Sequence, residues 1–240
     1  MSDKILITIL FWQQDRAQAM QLAKLLADLE PEHCKSADIL FVSRFDCKHD
    51  VEAEKYVSRK FNIYSYTSTR RGVGWPLGCT SIFFGAIEWV YGKIMGKKIP
   101  HYKAVLILGA DSVPLRKDWI SQMNAAWGAA NKTKEIFVAG ALIPNPARDH
   151  INGDCCLLSG KMNFLKFLAV GVQDGKVGWD WALADSFKKW GWADFPFVRS
   201  LWRCPTFTQS DWNAFSAAGV SWIHGVKDES LLELSRKNLL

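Results

Sequence analysis

The sequence predicts an α/β fold: a single domain with a mixed, mainly parallel central sheet flanked by helices. Two observations predict it. Apolar runs of strand length alternate with segments of helical periodicity through the first half of the chain, as βαβ units do. Residues 104–108, Ala-Val-Leu-Ile-Leu, are apolar without a break, which is how a strand buried on both faces reads. The run is followed by Gly109-Ala110-Asp111 and closed by Pro114. That places a carboxylate at the carboxyl edge of the sheet, where open α/β folds bind ligands.

Each element follows in order. Ile5–Trp12 reads as the first strand. Residues 14–29 carry Ala17, Met20, Leu22, Ala23, Leu25, Leu26 and Leu29 at helical spacing, and Pro31 stops the helix. Ala37–Ser43 is a second buried strand, Val51–Lys60 a short charged helix and Phe61–Thr67 an alternating third strand. The glycine-rich turn Arg70–Gly78 then leads into a helix over about Thr80–Met95. After the strand at 104–108 come a helix near 116–130 and a strand at 135–142. Further on, Asp154–Ser159 reads as a strand, Trp179–Trp190 as a helix and Glu229–Leu240 as a surface helix. No linker or repeat interrupts the 240 residues. The first half, to about residue 115, is expected to bind a nucleotide, and the rest to complete the sheet and form an acceptor side.

Bulk properties narrow the partners. The net charge is +6 and the sequence pI about 9.0, a mild excess compatible with an anionic ligand or a solvated basic surface. The twelve tryptophans offer flat faces for sugars and bases but also serve as core. The six cysteines lie at 34, 47, 79, 155, 156 and 204, with no zinc-type CxxC spacing. They read as reduced thiols of a cytoplasmic protein. The N-terminal apolar run is too short to span a membrane and lacks a small-residue cleavage site.

Several segments suit chemistry at the carboxyl edge of the sheet. Phe11-Trp12-Gln13-Gln14-Asp15 offers aromatics and amides for a flat base, while Asp15 suits a helix cap. It is neither a dinucleotide fingerprint nor a P-loop. Arg70 and Arg71, with Trp75, Pro76 and Gly78, lead to a helix N-terminus and suit phosphate oxygens; a plain loop-to-helix turn reads the same way. Asp111 suits a divalent ion such as Mn²⁺ or Mg²⁺, or a turn. Asp180, between Trp179 and Trp181, suits a base whose pKa is raised by an apolar setting, or a helix cap. His224 could join a metal, and Lys227 could neutralise a phosphate.

Taken in order, these segments resemble the nucleotide-sugar-dependent glycosyltransferases of the GT-A (Rossmann-like) fold. Gly109-Ala110-Asp111 is similar to the family's Asp-x-Asp motif, with Gly in place of the first Asp. Asp180 resembles its later carboxylate and His224 its C-terminal metal-binding histidine. His150-Ile151-Asn152-Gly153 resembles the loop that borders the acceptor. Gly74–Gly78 and His224–Asp228 look like bacterial or phage versions, some of which glycosylate hydroxymethylated bases in DNA.

The resemblance implies a metal at Asp111 and His224, with Asp180 as catalytic base if the anomeric centre inverts. It implies a donor, most simply a UDP-sugar, on Phe11, Trp12, Gln13, Arg70, Arg71, Trp75, Pro76, Gly78, Ala110 and Lys227. Asn152, Gly153, Trp179 and Trp181 would line the acceptor, either DNA or a glycan or lipid. A sugar nucleotidyltransferase is the first rival, but it would carry a glycine-rich basic loop where Phe11–Asp15 stands. A non-catalytic nucleic-acid-binding protein is the second. It would use Lys188-Lys189-Trp190-Gly191-Trp192 and Arg199–Arg203, and it leaves Asp111 unexplained.

Overall fold

Strands β1 (Ile5–Phe11) and β2 (Ala37–Ser43) pair in parallel over their whole length. Both are buried on both faces, as their mainly apolar runs predict, and they bury Thr8, Asp38 and Ser43 as well. In this computed structural model, which describes residues 3–161 and 177–240, they stand third and second from one edge of a seven-stranded sheet. α1 (Arg16–Leu29) buries the apolar stripe read from its spacing, from Ala19 to Leu29. α2 (Val51–Val57) is shorter than expected. β3 (Asn62–Thr67) closes one edge, its side chains mostly exposed or half-buried.

α3 (Leu77–Met95) begins three residues earlier than predicted. The glycine-rich turn is folded against it: a Cβ on Gly72 would lie 2.0 Å from Ser81 Oγ and 2.6 Å from the Leu77 carbonyl. Only glycine fits there. β4 (Ala104–Leu108) is fully buried and pairs with β1.

The second half departs further from expectation. β5 (Ser112–Pro114) follows β4, and α4 (Trp119–Thr133) starts and ends three residues late. The strand expected at 135–142 is two short pieces, β6 (Val138–Gly140) and β7 (Leu142–Ile143); β7 turns away to pair with β8 (His150–Ile151). β9 (Cys156–Ser159) ends where predicted but starts two residues later, leaving Asp154 and Cys155 in the preceding turn. The helix expected over Trp179–Trp190 breaks at Leu183 into α5 (Trp179–Ala182) and α6 (Ala184–Trp190). β10 (Trp192–Asp194), β11 (Val198–Cys204), α7 (Gln209–Ala217) and β12 (Trp222–Val226) had no counterpart in the sequence reading. α8 (Ser230–Leu239) matches the expected terminal helix.

The large sheet runs β10-β6-β9-β4-β1-β2-β3. Its described pairings are parallel except for β9, which is antiparallel to both β4 and β6. A smaller sheet, β11-β12-β5, pairs β12 antiparallel to β5 and parallel to β11. The period of two in β1 splits the core. Ile5, Ile7, Ile9 and Phe11 face α1 and the small sheet, whereas Leu6 faces α3 with Phe83, Ile87 and Val90. Among the described residues no helix is long and apolar enough to cross a membrane, and all six cysteines are unbridged.

Candidate active site

The reversed direction of β9 builds the site. β4 and β9 pair with Ile107 opposite Cys156, so the next steps beyond the ladder bring Gly109 opposite Asp154. A Cβ on Gly109 would lie 2.7 Å from Asp154 Oδ1 and 3.2 Å from Asp111 Oδ1. The small sheet supplies the third wall, because its register sets His224 beside Ser112, one residue past Asp111.

These neighbours form a short network. His224 Nε2 lies 3.1 Å from Asp111 Oδ1 and 3.0 Å from Asp154 Oδ2. Lys227 Nζ donates to Asp111 Oδ2 at 2.6 Å. Gly225 lets the chain turn toward the site: its φ is +103°, and a Cβ would meet the Leu201 carbonyl at 2.6 Å. Burial disfavours the charged form of both Asp111 and His224, but their mutual charge outweighs it. Asp111, with Lys227 also against it, is held well below the usual carboxylate range. His224, facing Asp154 and Asp111, is pushed up to about 10.

Asp180 ends the network on the far side. It is the second residue of α5, whose N-cap is Gly178, so it is not the helix cap. Its Oδ2 accepts the Gly153 N–H at 2.9 Å and its Oδ1 the Trp181 N–H at 2.9 Å. Burial, the largest influence, raises its pKa above the usual 3.8 despite these bonds. The segment Asn152-Gly153-Asp154 therefore joins the two carboxylates. Gly153 binds Asp180, Asp154 meets His224, and Asn152 Oδ1 accepts the Asp154 N–H at 2.9 Å. Cys155, at φ +58°, leads the chain from this turn into β9.

Asp154 was missed as a site residue. The signal was present, an acidic residue abutting a buried apolar run, as at Asp111. Its placement needed the knowledge that β9 runs backwards. Asp15 also differs from expectation: its side chain caps no helix N–H but accepts from Trp12 N at 2.7 Å. Burial, with the nearby charges of Asp111 and Asp154, raises it to about 6.

The remaining expected donor and acceptor residues divide. Phe11 does not face a ligand: it is 1% exposed and packs edge-on to His49. The position reads as the end of a motif but belongs to the buried face of β1. Trp12 is half-buried under the Arg44 guanidinium, 4.6 Å from the ring centroid, and Gln13 is exposed beside it. Arg70 is taken up by a two-pronged ion pair with Glu88 on α3, at 3.0 and 2.5 Å. Arg71 is exposed over the Phe45 ring. Trp75 is 66% exposed and meets Trp202 with ring centroids 6.3 Å apart. Pro76 and Gly78 are buried at the start of α3, and Ala110 is buried between Gly109 and Asp111.

On the acceptor side, Trp179 is core rather than a binding face. It is 6% exposed and stacks flat on Phe83, with centroids 3.5 Å apart. Its Cζ2 would lie 2.7 Å from a Cβ on Gly153, so it holds that turn in place. Trp181 is half-buried, edge-on to His150 and beside Arg148. Asn152 is buried.

Among the described residues no group of three or more His, Cys, Asp or Glu side chains is arranged to hold a metal ion as it stands. The donors of Asp111, Asp154 and His224 converge, but they are engaged with one another and with Lys227.

No family model and no curated protein matches the sequence. Solved structures do match in fold. A galactosyltransferase, LgtC, in complex with donor and acceptor sugar analogues is 10% identical, with a TM-score of 0.60 over 98% of this chain and 95% of that one. Mouse xyloside xylosyltransferase 1 is 13% identical, with a TM-score of 0.55 over 95% of this chain and 99% of that one. The glycosyltransferase GlyE of Streptococcus pneumoniae TIGR4 is 12% identical, with a TM-score of 0.53; the match covers all of this chain but 61% of GlyE. The chain thus has the GT-A fold that these glycosyltransferases share.

Proposed function

We propose that this protein transfers a sugar from a nucleoside-diphosphate donor, most simply a UDP-sugar, to a hydroxyl acceptor. The observation that carries the reading is the continuous row Asp180, Gly153, Asp154, His224, Asp111, Lys227 along the carboxyl edge of the sheet. It sets a compensated charge cluster at one end and an uncompensated carboxylate at the other. The first half of the chain serves the nucleotide, with Trp12 and Gln13 toward the base and Arg71 toward the phosphates. Asn152, Trp181 and the turn at Gly153 face the acceptor.

The donor set, imidazole and carboxylate, suits Mn²⁺ or Mg²⁺, and Asp111 with His224 would hold the ion. When bound, it offsets the negative charge that builds on the departing diphosphate. Lys227 leaves Asp111 for the diphosphate and adds a mobile positive charge there. Because Gly109 stands where the motif's first Asp would be, metal binding is expected to depend on the nucleotide. Asp180, held by two backbone N–H groups, accepts the proton of the attacking hydroxyl if the anomeric centre inverts; in a retaining reaction it orients the acceptor.

One acceptor within this reading is DNA carrying hydroxymethylated bases; a glycan or lipid is the other. The net charge of +6 and the exposed Arg199, Trp202 and Arg203 on β11 support DNA. Duplex affinity that falls steeply with salt supports that acceptor. Indifference to duplex at low salt assigns it to a glycan or lipid instead.

A thermal-shift screen of UDP-, GDP- and TDP-sugars with and without Mn²⁺ tests the reading. A UDP-sugar with Mn²⁺ raises the melting temperature, because a ligand of the native state stabilises it by mass action. If no nucleotide moves the melt, the transferase reading fails.

A further inference from the structure

We propose that Asp154 supplies, from β9, the acidic ligand that Gly109 cannot, and so acts as a third donor to the divalent ion beside Asp111 and His224. This rests on the metal-assisted reading above.

Three observations carry it. First, the place is taken. Gly109 lies where a carboxylate two residues before Asp111 would be rooted, and the space its Cβ would need is held by Asp154 Oδ1, 2.7 Å away. The neighbouring strand fills the gap with the functional group that the local sequence lacks. Second, the two carboxylates converge on one atom. His224 Nε2 lies 3.1 Å from Asp111 and 3.0 Å from Asp154. Adjacent ligands of an octahedral ion with bonds near 2.1 Å stand about 3 Å apart, the spacing each carboxylate already keeps from this nitrogen. Third, a single carboxylate would satisfy the second ring nitrogen of a buried histidine. Here two face it, and Asp154 keeps 40% of its side chain exposed, open to a ligand on the cleft side.

The alternative is that Asp154 only steadies His224. The two roles separate in a swap. Moving the carboxylate back to residue 109 should restore an ion ligand but not the original partner of β9.

The experiment is calorimetric titration of Mn²⁺ into the full chain with UDP present, with UDP binding in the absence of metal as the check on folding. Asp154→Asn and Asp154→Gly should each weaken Mn²⁺ binding about tenfold or more. Metal-free UDP binding should stay unchanged. Gly109→Asp alone, which crowds a third carboxylate against Asp154, should not strengthen binding. The double variant Gly109→Asp/Asp154→Gly should recover most of the lost affinity. Mn²⁺ affinity unchanged in Asp154→Asn overturns the proposal and leaves the metal-assisted reading intact. Failure of the double variant to recover above Asp154→Gly assigns Asp154 to steadying His224 and also overturns it. Absence of Mn²⁺ binding by the wild-type protein overturns both readings.

Discussion

The two ends of the cleft hold the same functional group in opposite states. At the β4 end Asp111 is shielded, yet His224 and Lys227 touch it, and its pKa falls below the usual range. At the α5 end Asp180 is shielded as well, but only backbone N–H groups bond it, and its pKa rises. Burial pushes both the same way, so direct contact with cations decides the outcome. Under the proposed transferase reading, the difference assigns work. Asp111 is a standing anion suited to gathering positive charge around a diphosphate. Asp180 is a carboxylate that gains by taking a proton.

The largest test removes the anion. Asp111→Asn should lower transfer about 1,000-fold, on the scale seen when a transition-state charge partner is lost. It should also abolish the Mn²⁺-dependent melt shift with UDP. An active Asp111→Asn enzyme would erase the contrast between the two ends. Asp180→Asn comes next. It should cost about 100- to 10,000-fold in kcat, as for a lost general base, while donor KM and the UDP melt shift stay put. In the wild type, activity should rise with pH through the raised Asp180 pKa, because only the ionised form accepts a proton. If Asp180→Asn loses donor binding and keeps its turnover, the base assignment is wrong.

The two tryptophans expected at the acceptor, Trp179 and Trp181, offer a sharper comparison. They lie two residues apart on one turn of α5, and sequence alone gave them the same role. Trp179→Ala removes a ring stacked on Phe83 and opens a cavity, which should cost about 3–5 kcal/mol of stability. Trp181→Ala, half-exposed beside His150, should cost under about 1 kcal/mol and raise acceptor KM. Denaturant melts and steady-state kinetics distinguish them. Similar stability losses in both would return Trp181 to the core.

How far the sequence reached can be judged from such pairs. The β1-to-β4 half was legible because continuous apolar runs and one long helical stripe report burial directly. Asp111, Asp180 and His224 could be picked out as candidates because each is a chemically distinctive residue at an element boundary. Asp154 could not, because its place beside them depends on β9 running antiparallel, and a four-residue apolar strand carries no sign of its direction. Phe11 and Trp179 were misassigned for a related reason. An aromatic next to a motif looks the same whether it faces the cleft or the core, and only the strand's period or the partner ring decides. Arg70 was read as a phosphate contact because its partner, Glu88, lies 18 residues on, within the following helix.

The smallest expected effect is the cleanest check on the contrast between the two ends of the cleft. Asp15 sits at the Asp111 end of the cleft but is bonded only by a backbone N–H, from Trp12. If cation contact rather than position sets the state, Asp15 should behave like Asp180, and burial does raise it from 3.8 to about 6. A carboxyl whose pKa is higher in the folded state binds its proton more tightly there. Its contribution to stability is therefore greatest below pH 4 and is lost as pH rises from about 4 to about 6. Two units amount to about 3 kcal/mol at most, and solvent access to the cleft cuts that to about 1 kcal/mol. Asp15→Asn keeps an acceptor for the Trp12 N–H and removes the charge. It should be about 1 kcal/mol more stable than wild type at pH 7.5, a rise of about 2–4 °C in Tm, and equal to it near pH 4. A gain that persists unchanged at pH 4 would show that the charge of Asp15 is not its source. A loss at pH 7.5 would mean that a cation partner compensates Asp15 as His224 and Lys227 compensate Asp111.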